Sequence, residues 1–284
     1  MAQEATASVL SELYANMVQA ALFTLSERTV IRPLVKNYDM TGTPGLTAQV
    51  PIYPALSAAD LTDGTDMSNT AFNTTSKTIT AAEVGVMVEL TDLAKESANE
   101  DVAAAIGRQM GDAMAVKVDT DLATLFQGFS NSVGSGDEEI TTETFFKAAA
   151  TLKNNKAPGP YVAVISPNQA LQLKKVLTNA GATMSHNLSD IGNIALRDGF
   201  VGRLAGIDIF ESTVVTDATP DSAGAGIGAV FAQDAIGYMV KRNMRIETQR
   251  DASARADEIV GTMAYGSAEL FDAYGVKLIA DDQQ

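Results

Sequence analysis

The sequence predicts an α+β chain with a projecting extended arm, and three observations carry that prediction. An apolar stripe runs from about residue 100 to 127, enough for a helix of about 40 Å at 1.5 Å per residue. Before it, residues 40–76 are rich in Thr, Ser, Gly, Asn and Asp, and Pro44, Pro51 and Pro54 forbid a helix there. Beyond residue 200 the chain breaks into short β-branched or alternating segments separated by Gly, Asp and Asn.

Taken in order, residues 8–25 place Leu10, Leu13, Met17 and Ala20 or Ala21 three or four apart, the spacing of one helical face. That helix must stop before Pro33, because the residue preceding a proline is pushed out of the α region. Val84, Val86, Val88 and Leu90 alternate with Glu83, Gly85, Met87 and Glu89, the period of a half-buried strand. We expect this strand to be the return arm of a hairpin whose outgoing partner lies near Thr47 to Tyr53. A structureless loop of that length is improbable inside a compact domain, so the excursion reads as an arm packed on a neighbour.

Thr91 and Asn99 are candidate N-caps, with Asp92, Glu100 and Asp101 supplying negative charge where the helix dipole is positive. The long helix has Val102, Ile106, Met110, Ala113, Val118, Leu122 and Leu125 on its apolar stripe. Gly107 and Gly111 inside it each cost about 1 kcal/mol against alanine, which predicts close packing or a bend. Residues 130–139 are polar. Phe145, Phe146, Ala149 and Leu152 then suggest a helix that ends before Pro158. Tyr161 to Ile165 reads as a strand, and Ser166, Pro167, Asn168 and Gln169 combine a serine N-cap, a proline at the first helical position and a capping-box glutamine. Residues 179–199 read as a loop. Strands are expected at Ile207 to Ser212, Ile227 to Ala232, Ile236 to Val240, Met244 to Thr248, Ile259 to Tyr265 and Val276 to Ile279.

Composition removes whole classes of function. The 284 residues carry a formal charge of −15, 46 % hydrophobic residues, no Cys, no Trp and one His. Without Cys there is no disulfide scaffold, thiol nucleophile or zinc–sulfur site. A chain this acidic repels phosphate backbones at long range, which argues against duplex readout as its main task. Residues 1–27 contain Glu4, Glu12 and Glu27 and neither Lys nor Arg, unlike the basic start of a secretory leader, so cytoplasmic synthesis is expected. No apolar run approaches the ~20 residues of a membrane helix.

The search for chemistry returns little. His186 stands alone, so HExxH and multi-histidine metal sites are excluded, and no GxSxG accompanies it. A hydrolase using His186 remains as an alternative. Gly224, Gly226 and Ala229 fit GxGxxA but lack the strand before and the helix after that a dinucleotide site requires. Asp60, Asp63 and Asp66 cluster near Gly64 without the alternation of a calcium loop. Lys241, Arg242 and Arg245 form the densest basic patch, read as a strand edge guarded by charge. No catalytic residue, metal site or cofactor is assigned.

The order of helix, extended arm, long helix and mixed domain resembles the major capsid proteins of tailed bacteriophages, with the Hong Kong 97 type fold. Local phrases share the likeness: Val164-Ile165-Ser166-Pro167-Asn168, Leu204-Ala205-Gly206-Ile207-Asp208-Ile209, and the acidic, Gly-punctuated Asp257 to Leu278. The resemblance implies an N-terminal arm (1–36), an extended β-hairpin E-loop (37–90), a spine helix with part of a peripheral domain (91–155), an axial domain (156–255), and C-terminal strands returning to the peripheral domain (256–284). It implies self-assembly into pentamers and hexamers of an icosahedral shell around double-stranded DNA. Portal and possible scaffolding or decoration proteins would be partners, and no membrane is involved. Leu10, Leu13, Met17, Tyr53 and Phe72 are the expected subunit-interface residues. Lys77 is the only lysine between 37 and 90, so covalent crosslinking of the arm is not expected. An encapsulin-type compartment enclosing a cargo enzyme is the alternative within the same fold.

Overall fold

The computed structural model describes residues 18–25, 28–53, 72–97, 102–183, 202–218 and 225–281, with the single positions 56, 58, 60, 63, 64 and 66. Leu10, Leu13, Met17, Asn99 and His186 lie outside the described residues. The described end of the first helix, α1 (18–25), buries Ala21 and Leu25. Its neighbour is the spine, α3 (Val102–Thr124), which comes after the short α2 (Asp92–Ser97) and is about 34 Å long at 1.5 Å per residue. Gly111 is the contact point. A Cβ there would lie 2.4 Å from the Ala21 carbonyl oxygen, so only glycine lets the two backbones approach this closely.

The apolar stripe of α3 lies against a four-stranded sheet of β1 (Lys36–Asp39), β4 (Ala82–Thr91), β10 (Ile236–Asp251) and β11 (Ala256–Glu269), in the order β1-β10-β11-β4. Met110, Met114, Val118 and Leu122 share one core with Met244, Ile246, Ile259, Met263 and Tyr265. The stripe passes through Met114 rather than Ala113, which is exposed. Met110, Met114, Val118 and Leu122 are each four residues apart, about one turn, so the buried row passes one residue beyond Ala113.

The second layer is a six-stranded sheet in the order β5-β12-β9-β6-β8-β7. Its strands are β5 (Ser132–Gly134), β6 (Tyr161–Ile165), β7 (Arg203–Leu204), β8 (Ile207–Glu211), β9 (Ala225–Ala232) and β12 (Gly275–Asp281). Two helices pack with it, α4 (Thr142–Asn154) and α5 (Pro167–Thr183). Phe145, Ala149 and Leu152 of α4 and Ala170 and Leu173 of α5 share its core. The capping box forms as expected: Ser166 N–H donates to Gln169 Oε1 at 3.2 Å, and Gln169 N–H donates to Ser166 Oγ at 3.1 Å. Gln169 Nε2 also reaches the Gly226 carbonyl at 2.8 Å, tying the helix start to β9.

Three expectations need correction. The arm hairpin pairs β2 (Thr47–Ile52) with β3 (Thr75–Thr80), not with the Val84 to Leu90 segment. That segment is β4, and it pairs antiparallel with β11 from Tyr265↔Ala82 to Ala256↔Thr91. Its alternation reports a half-buried sheet edge with its apolar side on the spine; periodicity gives a strand its faces but not its partner. Second, Ile236 to Val240 and Met244 to Thr248 belong to one strand, β10, whose register slips between Val240 and Arg242 and again between Arg242 and Arg245. The polar Lys241-Arg242-Asn243 interruption marks a bulged stretch rather than a turn. Third, the two layers cut across the boundaries at 155 and 255. β5 and α4 join the six-stranded layer, while β10 leaves it for the sheet under the spine.

Candidate functional site: the arm and its anchorage

Residues 40–53 and 72–81 leave the body as a two-stranded ribbon. Six register pairs join β2 to β3, a paired length of about 20 Å. Burial along β3 falls on Ile79 alone, while its other five residues are exposed. Ile79 belongs to a small separate core at the ribbon's root with Ala81, Met239 and Leu270, against which Tyr38, Met40, Ala48 and Val50 pack. The body therefore grips the root. Beyond the root, β3 is exposed from Thr75 to Thr78, while β2 keeps one face, Ala48, Val50 and Ile52, half-buried and the other in solvent.

Charge reinforces that grip. Lys241 Nζ donates to the carbonyl oxygens of Thr43 and Met40, and Arg242 forms an ion pair with Glu83 just after the ribbon returns. Both cations lie on β10 past Val240, where pairing with β1 stops. The strand edge freed there holds the root of the arm, so the basic patch read from sequence acts as an internal anchor. Arg245 pairs with Glu247 at 3.3 Å. Gly42 (φ +80) and Gly45 (φ +94) turn the chain into β2 through left-handed backbone that L side chains rarely adopt.

At the far end of the paired ribbon, Tyr53 and Phe72 stack with ring centroids 5.8 Å apart and planes 13° off parallel. They remain 62 % and 50 % exposed. Two large aromatic faces held together in water form an exposed apolar patch at the ribbon's end. The structure thus brings together the two expected interface residues that it describes.

A second anchorage fixes the chain before the arm. Asp119, on the sheet-facing side of α3, is buried and accepts N–H bonds from Val30 at 2.7 Å and Ile31 at 3.2 Å. Its oxygens satisfy donors at the start of the 3-10 turn Arg32–Leu34, whose own N-cap residue supplies no side-chain bond. Burial pushes the Asp119 carboxyl above its ordinary range, against the pull of the Val30, Ile31 and Arg32 backbone N–H groups and the Arg32 charge. Arg32 lies over the Tyr238 ring, 5.3 Å from its centroid, and burial pushes the Tyr238 hydroxyl up to about 12. Tyr265 Oη donates to Asp121 at 2.6 Å on the next face of the spine. Sequence reasoning missed Asp119. The available signal was one carboxylate directly beside Val118 and close to Leu122 in an apolar stripe.

The weak chemical motifs stay unassembled. Gly226 and Ala229 lie within strand β9, with no helix after them. Asp60, Asp63 and Asp66 are exposed, and among the described residues no group of three or more His, Asp or Glu is placed to hold a metal ion. No described helix is long and apolar enough to cross a membrane.

With this geometry in place, comparison with known proteins is decisive. Residues 73–279 match the family described as phage capsid protein. The chain belongs to that family. The fold is likewise that of solved capsids. The capsid structure of cyanophage P-SCSP1u superposes with a TM-score of 0.70 at 21 % identity, covering 90 % of this chain and 89 % of that one. A Mycobacterium phage Che8 structure gives the same TM-score and identity over 88 % and 90 %. A virus-like particle from Pyrococcus furiosus matches with TM-score 0.62 and 10 % identity over 93 % and 98 %. No curated protein matches the chain. This capsid protein has the Hong Kong 97 type fold and a structural role, many copies building a virion shell.

Proposed function

We propose that the protein is the shell subunit of a tailed phage, assembling into pentamers and hexamers of an icosahedral capsid around double-stranded DNA. What carries this reading is the ribbon, largely exposed beyond its root and tipped with the Tyr53–Phe72 stack. An isolated two-stranded ribbon is marginally stable in water, so a stable one needs a surface to lie on. Residues 1–36, with Leu10, Leu13 and Met17, form the N-terminal arm, and 37–90 the E-loop. α3 with the four-stranded sheet is the peripheral domain, and the six-stranded sheet with α4 and α5 is the axial domain. Tyr53 and Phe72 contact the neighbouring subunit. The acidic balance suits a wall that surrounds DNA without gripping it. Assembly in the host cytoplasm, a portal, and scaffolding or decoration proteins complete the reading. Catalysis has no part in it. Lys77 lies exposed on β3 and forms no covalent crosslink.

Deleting residues 44–76 tests this. Shells should disappear while the six-stranded layer stays folded; unaltered assembly would refute the role of the arm. A second reading keeps the same fold but makes the shell a compartment loaded with a protein cargo. Nucleic acid inside purified particles supports the phage reading, and a co-purifying enzyme the other.

A further inference from the structure

The six-stranded sheet ends in two unlike edges. At one end, β5 pairs among the described residues only with β12, in parallel. Lys277 N–H donates to the Asn131 carbonyl at 2.9 Å, so by strand alternation the backbone groups of Ser132 and Gly134 point away from the sheet. Beside this edge, between β5 and α4, lies a groove of about 1000 Å³. Glu138, Glu139 and Glu143 line it, and its only cation, Lys147, is bound to Glu143 at 2.8 Å. The groove is net negative.

At the opposite end, β7 and β8 form a tight hairpin, Arg203↔Asp208 and Leu204↔Ile207, turned by Ala205 (φ +55) and Gly206 (φ +84). Gly202 C=O accepts from Ile209 N–H at 3.2 Å, which leaves the backbone groups of Arg203 facing outward. The Arg203 side chain is 64 % exposed, and its contact with Asp208 is 3.4 Å, the kind of surface pair that contributes little and exchanges readily.

A closed ring of identical copies needs a heterologous contact, with one surface of each subunit meeting a different surface of the next. Opposite edges of one sheet, a negative groove and an arginine-bearing hairpin, meet that requirement by position and by charge. We propose that the β7–β8 hairpin of one copy docks in the β5–α4 groove of the next, with Arg203 against Glu138 and Glu139. This rests on the ring-forming reading above and adds a contact independent of the arm.

The absence of cysteine allows a clean test. Ser135 follows β5 and Asp208 lies on β8, four strand steps away, about 19 Å at ~4.8 Å per step, so a Ser135→Cys/Asp208→Cys chain cannot bridge to itself. Oxidised shells of this variant should give a ladder up to ring size on non-reducing gels, collapsing with reductant, while Ser135→Cys alone gives dimers at most. Intact shells without a ladder overturn the proposal. A charge exchange covers the case in which the cysteine variant does not assemble. Arg203→Glu should slow assembly about tenfold or more at low salt, and Glu139→Lys with Arg203→Glu should restore it. An unaffected single variant, or a double variant no better than the single, overturns the proposal. Wild-type chains that never form shells would instead sink the ring reading on which it rests.

Discussion

Truncating Asp119 tests how the body holds the chain that leads into the arm. The substitution Asp119→Ala takes the acceptor from the buried Ile31 N–H and the half-buried Val30 N–H, since both bonds end on this carboxylate, which is itself 3 % exposed. Each orphaned buried donor costs about 1–3 kcal/mol, so the loss should be about 2–5 kcal/mol in urea titrations of the full chain. Amides 30 and 31 should also exchange at least tenfold faster. Asp119→Asn keeps one oxygen and should lose less. The pH dependence gives a sharper version. Folding raises the Asp119 pKa, chiefly by burial, so its stabilising contribution is complete below the unfolded value of about 3.9 and fades as pH rises through the folded one. The advantage of wild type over Asp119→Asn should therefore be largest near pH 4 and shrink towards pH 7. An advantage that grows with pH would mean that the backbone bonds outweigh burial. An Ala variant losing under about 0.5 kcal/mol would refute the anchorage itself.

Other substitutions separate folding from assembly. Tyr53→Ala with Phe72→Ala should leave the thermal midpoint of unassembled protein unchanged, because both rings are solvent-exposed, yet reduce particle yield in light scattering. Gly111→Ala drives a Cβ to 2.4 Å from the Ala21 carbonyl and should cost about 1–3 kcal/mol, with α1 losing protease protection. Ser166→Ala removes the cap on Gln169 N–H and should lower stability by about 1 kcal/mol in denaturant titration. Denaturing gels of mature particles should show intact monomers; ladders would mean that the arm is crosslinked after all.

Much of the fold is legible in the sequence where local chemistry decides the outcome. Ser166 to Gln169 could only begin a helix, and Gly111 in a long apolar stripe announced a close backbone contact, which α1 supplies. Partners were not legible. Val84 to Leu90 declares its two faces by alternation, but its pairing with residues 256–265 closes a loop of more than 160 residues and leaves no local trace. The bulges of β10 hid a 16-residue strand, because Lys241 and Arg242 look like a turn until the arm's root is seen to use them. Tyr53 and Phe72 were visible as exposed aromatics of an extended arm, whereas their stacking depends on β2 and β3 bringing residues 19 apart into register.

The most direct test of the whole account is an electron micrograph of the purified full-length protein. It should show closed icosahedral particles or ring-shaped capsomers whose walls match the fold described here. A species that stays monomeric across salt and protein concentration would contradict it.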